Sequence, residues 1–235
     1  MKQLRLLLLS VLLVVPIRAS TAASNYCFPE LKAYCVEAPF DQYWVANGGL
    51  PVFGYPISAK DRYQTPDQGP ILNIQWTERQ RLEQHTTLAG TPYEIQIGLL
   101  GKERMAQLNR DLEPAARRPA NNCLWFAETG HNVCNQADGM GFKHYWQSHG
   151  TTTAGLDSYT RSLQLFGLPL TSAQFEVNPD GDEVITQWFE RARFEWHPDN
   201  PDQFKVLLGR LGSEITGFEP EIIPEPIPGP NPPNK

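Results

Sequence analysis

One pattern limits the fold of this chain more than any other: a long stretch of it occurs twice. Residues 75–85 read QWTERQRLEQH and residues 187–197 read QWFERARFEWH. The likeness extends to both sides. Ahead of the first string lie Cys27 and Cys35, then Phe40, Tyr43 and Trp44, Asn47-Gly48-Gly49 and Phe53-Gly54-Tyr55-Pro56-Ile57-Ser58; Tyr93 to Glu103 follow it. Ahead of the second lie Cys123 and Cys134, then Phe142, Tyr145 and Trp146, His149-Gly150 and Phe166-Gly167-Leu168-Pro169-Leu170-Thr171; Phe204 to Glu214 follow it. The offset grows from 96 at the first cysteines to 112 at the QW strings, most of it through an insertion at Thr151 to Ser162. Self-similarity on this scale marks a duplicated structural unit. The expected organisation is a first module at 24–105, a linker at 106–121, a second module at 122–217 and a tail at 218–235. Asn109 to Asn122 is polar and carries Pro114 and Pro119, which suits a linker. The tail has seven prolines in eighteen residues and reads as an extended or disordered spacer.

Each module should be a small α+β unit. Phe40, Tyr43, Trp44 and Asn47 fall at i, i+3, i+4 and i+7 before Gly48-Gly49, as does Phe142, Tyr145, Trp146 and His149 before Gly150. That is the apolar face of a short helix with a glycine stop. Phe-Gly-x-Pro then marks a turn, since Gly permits unusual backbone angles and Pro fixes the next one. The QW string alternates with period two and is expected to form one strand. Trp188, Glu190, Ala192, Phe194 and Trp196 would share one face, with Gln187, Phe189, Arg191, Arg193, Glu195 and His197 on the other. A turn at Pro198 to Asp202 would lead to a second strand at Phe204 to Leu208, closing a β-hairpin. The fold class expected is α+β: two tandem disulfide-stapled modules, each a short helix packed on an antiparallel hairpin or sheet.

The N-terminus reads as an export signal, 1–23. Lys2 and Arg5 precede an apolar run from Leu6 to Ile17, interrupted at Ser10, and small residues follow at Ala19 to Ala23. The run is too short to span a bilayer. Removing Lys2, Arg5 and Arg18 from 20 basic residues leaves 17 against 26 acidic ones, a net charge of −9. Such a chain, without a Lys/Arg cluster, is unsuited to phosphate backbones, so nucleic acid is not an expected partner. Four cysteines in an exported chain should be paired. They admit three pairings, and the repeat selects Cys27–Cys35 with Cys123–Cys134, one pair in each copy.

The Cys-bounded loop, F-x-x-Y-W, N-G-G-L-P-V-F-G-Y-P-I-S and W-F-E-R-A-R-F-E-W-H-P followed by V-L-L-G-x-L-G resemble a tandem module of secreted proteins from Chloroflexota-type filamentous bacteria. The resemblance covers nearly the whole mature chain. The G-Y-P turn and hairpin are more distantly similar to LGFP repeats, which are associated with cell-wall attachment. The first copy departs from the pattern at Thr77, Gln80, Leu82 and Gln84, and the second at Leu168. Those departures imply that any ligand surface differs between the copies. The resemblance implies an exported, non-catalytic module and supplies no catalytic residue.

Motif chemistry is sparse. There is no G-x-S-x-G, H-E-x-x-H, C-x-x-C or phosphate-binding glycine loop. The five histidines (His85, His131, His144, His149, His197) lack metal-ligand spacing, so no cofactor or metal is expected. Asn178-Pro-Asp180-Gly-Asp182-Glu183 concentrates oxygen ligands but lacks the closing Glu of an EF-hand, and reads as a polar turn. Glu190 and Glu195, echoed by Glu78 and Glu83, could form a glycosidase carboxylate pair. As strand neighbours of odd separation they would face opposite ways, and Arg191 and Arg193 offer Glu195 an ion pair. Trp44, Trp146, Trp76 and Trp188 sit at equivalent positions, as core residues of a repeated fold would. Trp125, Phe126 and Trp196 are peculiar to the second copy, and aromatic faces there could stack on sugar rings. With Arg191, Arg193, Glu195 and His197 they are the candidate ligand contacts. The expected function is an exported, cell-surface-associated module that binds cell-wall or extracellular glycan, with two equivalent weak sites gaining avidity. The rivals are an interaction module for another exported protein and a polysaccharide hydrolase using Glu190 or Glu195. No membrane contact is expected once the signal is removed.

Overall fold

The computed structural model describes residues 25–64, 69–111, 113 and 118–224; the signal segment and the last prolines of the tail lie outside them. The first half runs through helices α1 (Phe40–Ala46) and α2 (Gly49–Phe53), strands β1 (Asp61–Gln64), β2 (Ile71–Trp76), β3 (Arg81–Gln84) and β4 (Ile95–Ile97), and helix α3 (Leu100–Gln107). Two small hairpins follow, β5 (Leu124–Phe126) with β6 (His131–Val133) and β7 (Asn135–Ala137) with β8 (Met140–Gly141). The second half runs through α4 (Phe142–Ser148), α5 (Ser158–Phe166), β9 (Gln174–Val177), β10 (Glu183–Trp188), β11 (Arg193–Trp196), β12 (Val206–Leu208) and α6 (Leu211–Thr216). Each half thus orders two helices, four strands and a helix. Both four-stranded sheets are antiparallel meanders, β1-β2-β3-β4 and β9-β10-β11-β12. The fold class is α+β, and no helix among the described residues is long and apolar enough to cross a membrane.

The expected short helices form where the aromatic spacing placed them, at α1 and α4. Phe40 and Trp44, like Phe142 and Trp146, turn inward because i, i+4 positions share one helix face. Gly54 and Gly167 sit at the Phe-Gly-x-Pro turns with φ of 74° and 75°. The QW strings differ from expectation. Neither is one strand; each is itself a hairpin, pairing Trp76 with Arg81 and Trp188 with Arg193. The tight turns close through Thr77 N–H to Gln80 C=O and Phe189 N–H to Ala192 C=O, both 2.8 Å. The expected hairpin with the following strand forms, β11 pairing with β12, but that strand is Val206–Leu208, with Phe204 in a 3-10 turn, and the hairpin is one edge of a four-stranded sheet. The insertion near Thr151 to Ser162 builds the start of α5, whose Asp157 cap accepts from Thr160 N–H.

The halves are not separate beads. One apolar core contains Phe40, Trp44, Phe53, Leu82 and Ile97 together with Phe142, Trp146, Phe166, Phe194 and Trp196. A smaller cluster joins Leu100 and Met105 of α3 to Trp188 and Leu211. Helix α2 packs on β12 and helix α5 on β4, so each half lays a helix on the other's sheet. The N-termini of α3 and α6 dock reciprocally. Ser213 N–H donates to Glu78 C=O at 3.0 Å and Lys102 N–H to Glu190 C=O at 3.3 Å. Only glycine allows this approach: a Cβ on Gly101 would lie 1.8 Å from the Phe189 carbonyl oxygen, and one on Gly212 2.0 Å from that of Thr77.

Disulfides Cys27–Cys35 and Cys123–Cys134 form as expected, one in each half. The start of the tail is not a free spacer. Lys32 N–H donates to Glu221 C=O and Ile223 N–H to Glu30 C=O, which lays 221–223 along the first disulfide loop. The described linker residues are also tied down, Arg110 to Glu176 at 2.6 Å and Ser172 N–H to Glu113 at 2.8 Å.

Candidate functional site

The docking of the halves leaves two clefts built from matching parts. In the first, Arg79 stands in the turn of its QW string beside Leu50 and Pro51 of α2, and faces Tyr145, Phe204, Val206 and Leu207 of the second half. In the other, Arg191 stands at the same place in its string beside Leu163 and Gln164 of α5, and faces Tyr43, Tyr93, Ile95 and Gln96 of the first half. Their sizes differ. The Arg79 cleft encloses about 630 Å³ and the Arg191 cleft about 220 Å³. Helix α2 spans five residues and α5 nine, and the added turn brings Thr160 into the wall of the smaller cleft. Of these two, the Arg79 cleft falls in the range of ordinary small-ligand sites and the Arg191 cleft below it.

The two arginines differ in partners as well as in space. The Arg191 guanidinium donates to the carbonyl of Ile97. Arg79 has a side chain 19% exposed, and its nearest carboxylate oxygen, on Glu78, is 4.0 Å from Nη1; the Nε of each arginine has no hydrogen-bond partner among the described residues. That Glu78 oxygen already accepts from Tyr55 N–H at 2.7 Å. Burial lowers the pKa of Arg79, with Glu78 opposing the shift. Across the cleft, burial pushes the Tyr145 phenol up to about 12. His149 stacks on the Tyr145 ring at 3.9 Å, and burial lowers its pKa, so it is neutral near pH 7. Phe204, 44% exposed, supplies an open aromatic face at the rim.

Arg79 also borders a second cavity of about 520 Å³, lined by Asn178, Asp180, Asp182, Arg193, Glu195, His197, Arg210, Glu214 and Glu219. Three of the candidate contacts, Arg193, Glu195 and His197, meet here. They are engaged with one another: Arg193 binds Glu195 at 2.6 Å and Glu214 at 2.8 Å, and His197 lies 3.4 Å from Glu195. Arg81, Glu83, Glu103 and His85 make the corresponding cluster in the first half, with Arg81 2.7 Å from both Glu83 and Glu103. Arg210 is held by Asp180 at 2.6 Å and Glu219 at 3.3 Å. The wall is therefore acidic in balance. Residues 178–182 form a turn between β9 and β10, closed by Asp182 N–H on Asn178 Oδ1; no group of three or more acidic, His or Cys side chains placed to hold a metal occurs among the described residues.

The aromatic candidates sit elsewhere. Phe126 is fully buried, edge-on to Trp146 at 5.1 Å, and Trp196 is 7% exposed within the shared core. Neither has a free face for a sugar ring; both fill the volume that the docked halves enclose. Trp125 is half-buried on β5, away from either cleft. Arg191 lines the small cleft, where it is spent on Ile97. Trp44, Trp146 and Trp188 are buried and Trp76 packs against the smaller cluster, as core residues should. Glu190 is not on a strand but in the hairpin turn, bound to Lys102 at 2.8 Å and Leu168 N–H at 3.1 Å. Burial alone would raise its pKa, but those bonds together lower it, opposite to the direction a general acid needs.

Against known proteins, the chain matches no family model, no curated protein and no solved structure.

The residues that sequence reasoning missed are Arg79, Tyr145, His149 and Phe204. Their signal was present in the matching strings, but only as positions within one half. What brings them together is contact between the halves.

Proposed function

We propose that the chain is an exported, non-catalytic module in which two copies of one unit close on each other and offer a single cleft to cell-wall or extracellular glycan. The observation that carries this reading is the Arg79 cleft: about 630 Å³, walled by Tyr55, Tyr145 and Phe204 and by apolar Leu50, Pro51 and Val206, with a few polar groups, Glu78, Arg79, His149 and Gln203, among its lining. Flat apolar walls beside sparse donors are what a sugar ring needs, since its C–H faces stack and its hydroxyls must be paired. The common order of elements in the two halves and the reciprocal docking of α3 and α6 support reading them as copies. The paired carboxylates and the lowered Glu190 pKa weigh against hydrolysis. Two disulfides and an N-terminal signal pattern suit export.

Co-sedimentation of the oxidised chain with purified sacculi and insoluble polysaccharides tests the reading. Retention should fall about fivefold or more in Phe204→Ala, the loss that truncating a contact aromatic brings. It should be unchanged in Phe175→Ala, which alters an exposed ring on β9. Retention of no polymer would overturn the reading and move the weight to a protein partner, to be sought by pull-down from extracellular extract.

A further inference from the structure

Building on the glycan reading, we propose that the cleft takes a carboxylate-bearing sugar, its acid group held by the Arg79 guanidinium, and that each chain has one such site. The inference starts from a comparison the chain makes with itself. Arg79 and Arg191 occupy the same place in two matching strings and the same place in two matching clefts. Arg191 has one acceptor, the Ile97 carbonyl at Nη1, while its Nε, like that of Arg79, is without a partner among the described residues. Arg79 makes no side-chain hydrogen bond to any described residue, although only 19% of its side chain is exposed. Desolvating a guanidinium without pairing its donors is unfavourable, and a carboxylate matches its planar fork.

Charge decides the side from which the anion arrives. The cavity behind Arg79 holds five carboxylates against Arg193 and Arg210, both already ion-paired. The cleft in front holds a single carboxylate, Glu78, whose Oε2 is occupied by Tyr55 N–H. An acid group entering beside Leu50 therefore meets Arg79 with little repulsion, while its ring lies along the exposed Phe204. The second site is closed by α5. Its extra turn places Thr160 in the matching space and leaves about 220 Å³. The expected bivalent avidity is thereby replaced by asymmetry: the same ancestral cleft is open once and filled once.

The test is calorimetric titration of the full oxidised chain with two acidic probes, an oligogalacturonate and a muramyl oligosaccharide, each beside its carboxyl-reduced counterpart. At least one acidic probe should bind about tenfold or more tightly than its reduced partner, with a stoichiometry of one. Arg79→Gln should bind both members of that pair alike, at the affinity the unaltered chain has for the reduced one. Arg79→Lys keeps the charge without the fork, and should recover part of the preference and lose it with added salt; it also serves if the Gln variant folds poorly. Equal binding of acidic and reduced probes would overturn the Arg79 inference and leave the glycan reading standing. Binding of neither would overturn both, and a stoichiometry of two would overturn the single site.

Discussion

His131 on β6 is 2% exposed and its Nδ1 has no partner among the described residues. Burial lowers its pKa from 6.5, with Glu113 opposing. A histidine with a folded pKa below its unfolded one gives full stability above pH 6.5, and that stability falls away as protonation of the unfolded chain takes over below it. Denaturant midpoints should therefore decline from about pH 7.5 to about pH 5, and His131→Gln should flatten the decline. An unchanged slope would mean that His131 is not held neutral. At Gly101 and Gly212 the constraint is space. Either residue changed to Ala should cost about 1–3 kcal/mol or more, since a Cβ would meet a backbone carbonyl that cannot yield like a flexible side chain. Chemical denaturation reads that loss directly. Neither glycine could be told from an ordinary loop glycine in the sequence, because what crowds it comes from the other half.

Among the elements, local pattern was informative where the partners are local. The aromatic i, i+3, i+4 spacing located α1 and α4, and each half supplied its own disulfide. The hairpin within the QW string was not legible, for a physical reason. Its turn, Thr77 to Gln80 or Phe189 to Ala192, lacks the Asn-Gly or Asp-Gly that tight hairpins favour. It is held instead by residues far along the chain: Glu78 and Arg79 N–H donate to Tyr55 and Phe53 C=O, and Glu190 and Arg191 N–H to Leu168 and Phe166 C=O. Period-two alternation continued through the turn and imitated one long strand. The disulfide loops, with sequence separations of 8 and 11, should each contribute about 2–3 kcal/mol. Paired Cys→Ser variants, compared with the oxidised chain in urea, check the figure; a loss below about 0.5 kcal/mol would show that these loops are already ordered without the bond.

For the whole molecule, the self-similarity of the two halves was visible but their assembly was not. An apolar helix face records that something covers it, without saying which sheet does. Here α2 covers β12 and α5 covers β4, so most of the core belongs to neither half alone. Unfolding should follow one cooperative transition by fluorescence and by far-UV circular dichroism. Residues 24–105 and 122–217 expressed separately should remain largely unfolded, each lacking the surface that buries its aromatics. Two separable transitions would contradict the shared core. The same exchange of helices explains why the open cleft gathers residues that lie far apart in sequence, whereas Phe126 is covered within its own half by Trp146 and Tyr159.

The most direct measurement is residue-resolved chemical-shift mapping of the oxidised chain during titration with acidic oligosaccharide. Saturable shifts are expected at Tyr55, Arg79, Tyr145 and Phe204, with Tyr43, Tyr93 and Arg191 in the matching narrower cleft unmoved. Shifts of equal size in both clefts, or shifts confined to Trp125 and the first strands after the second disulfide loop, would contradict the single site.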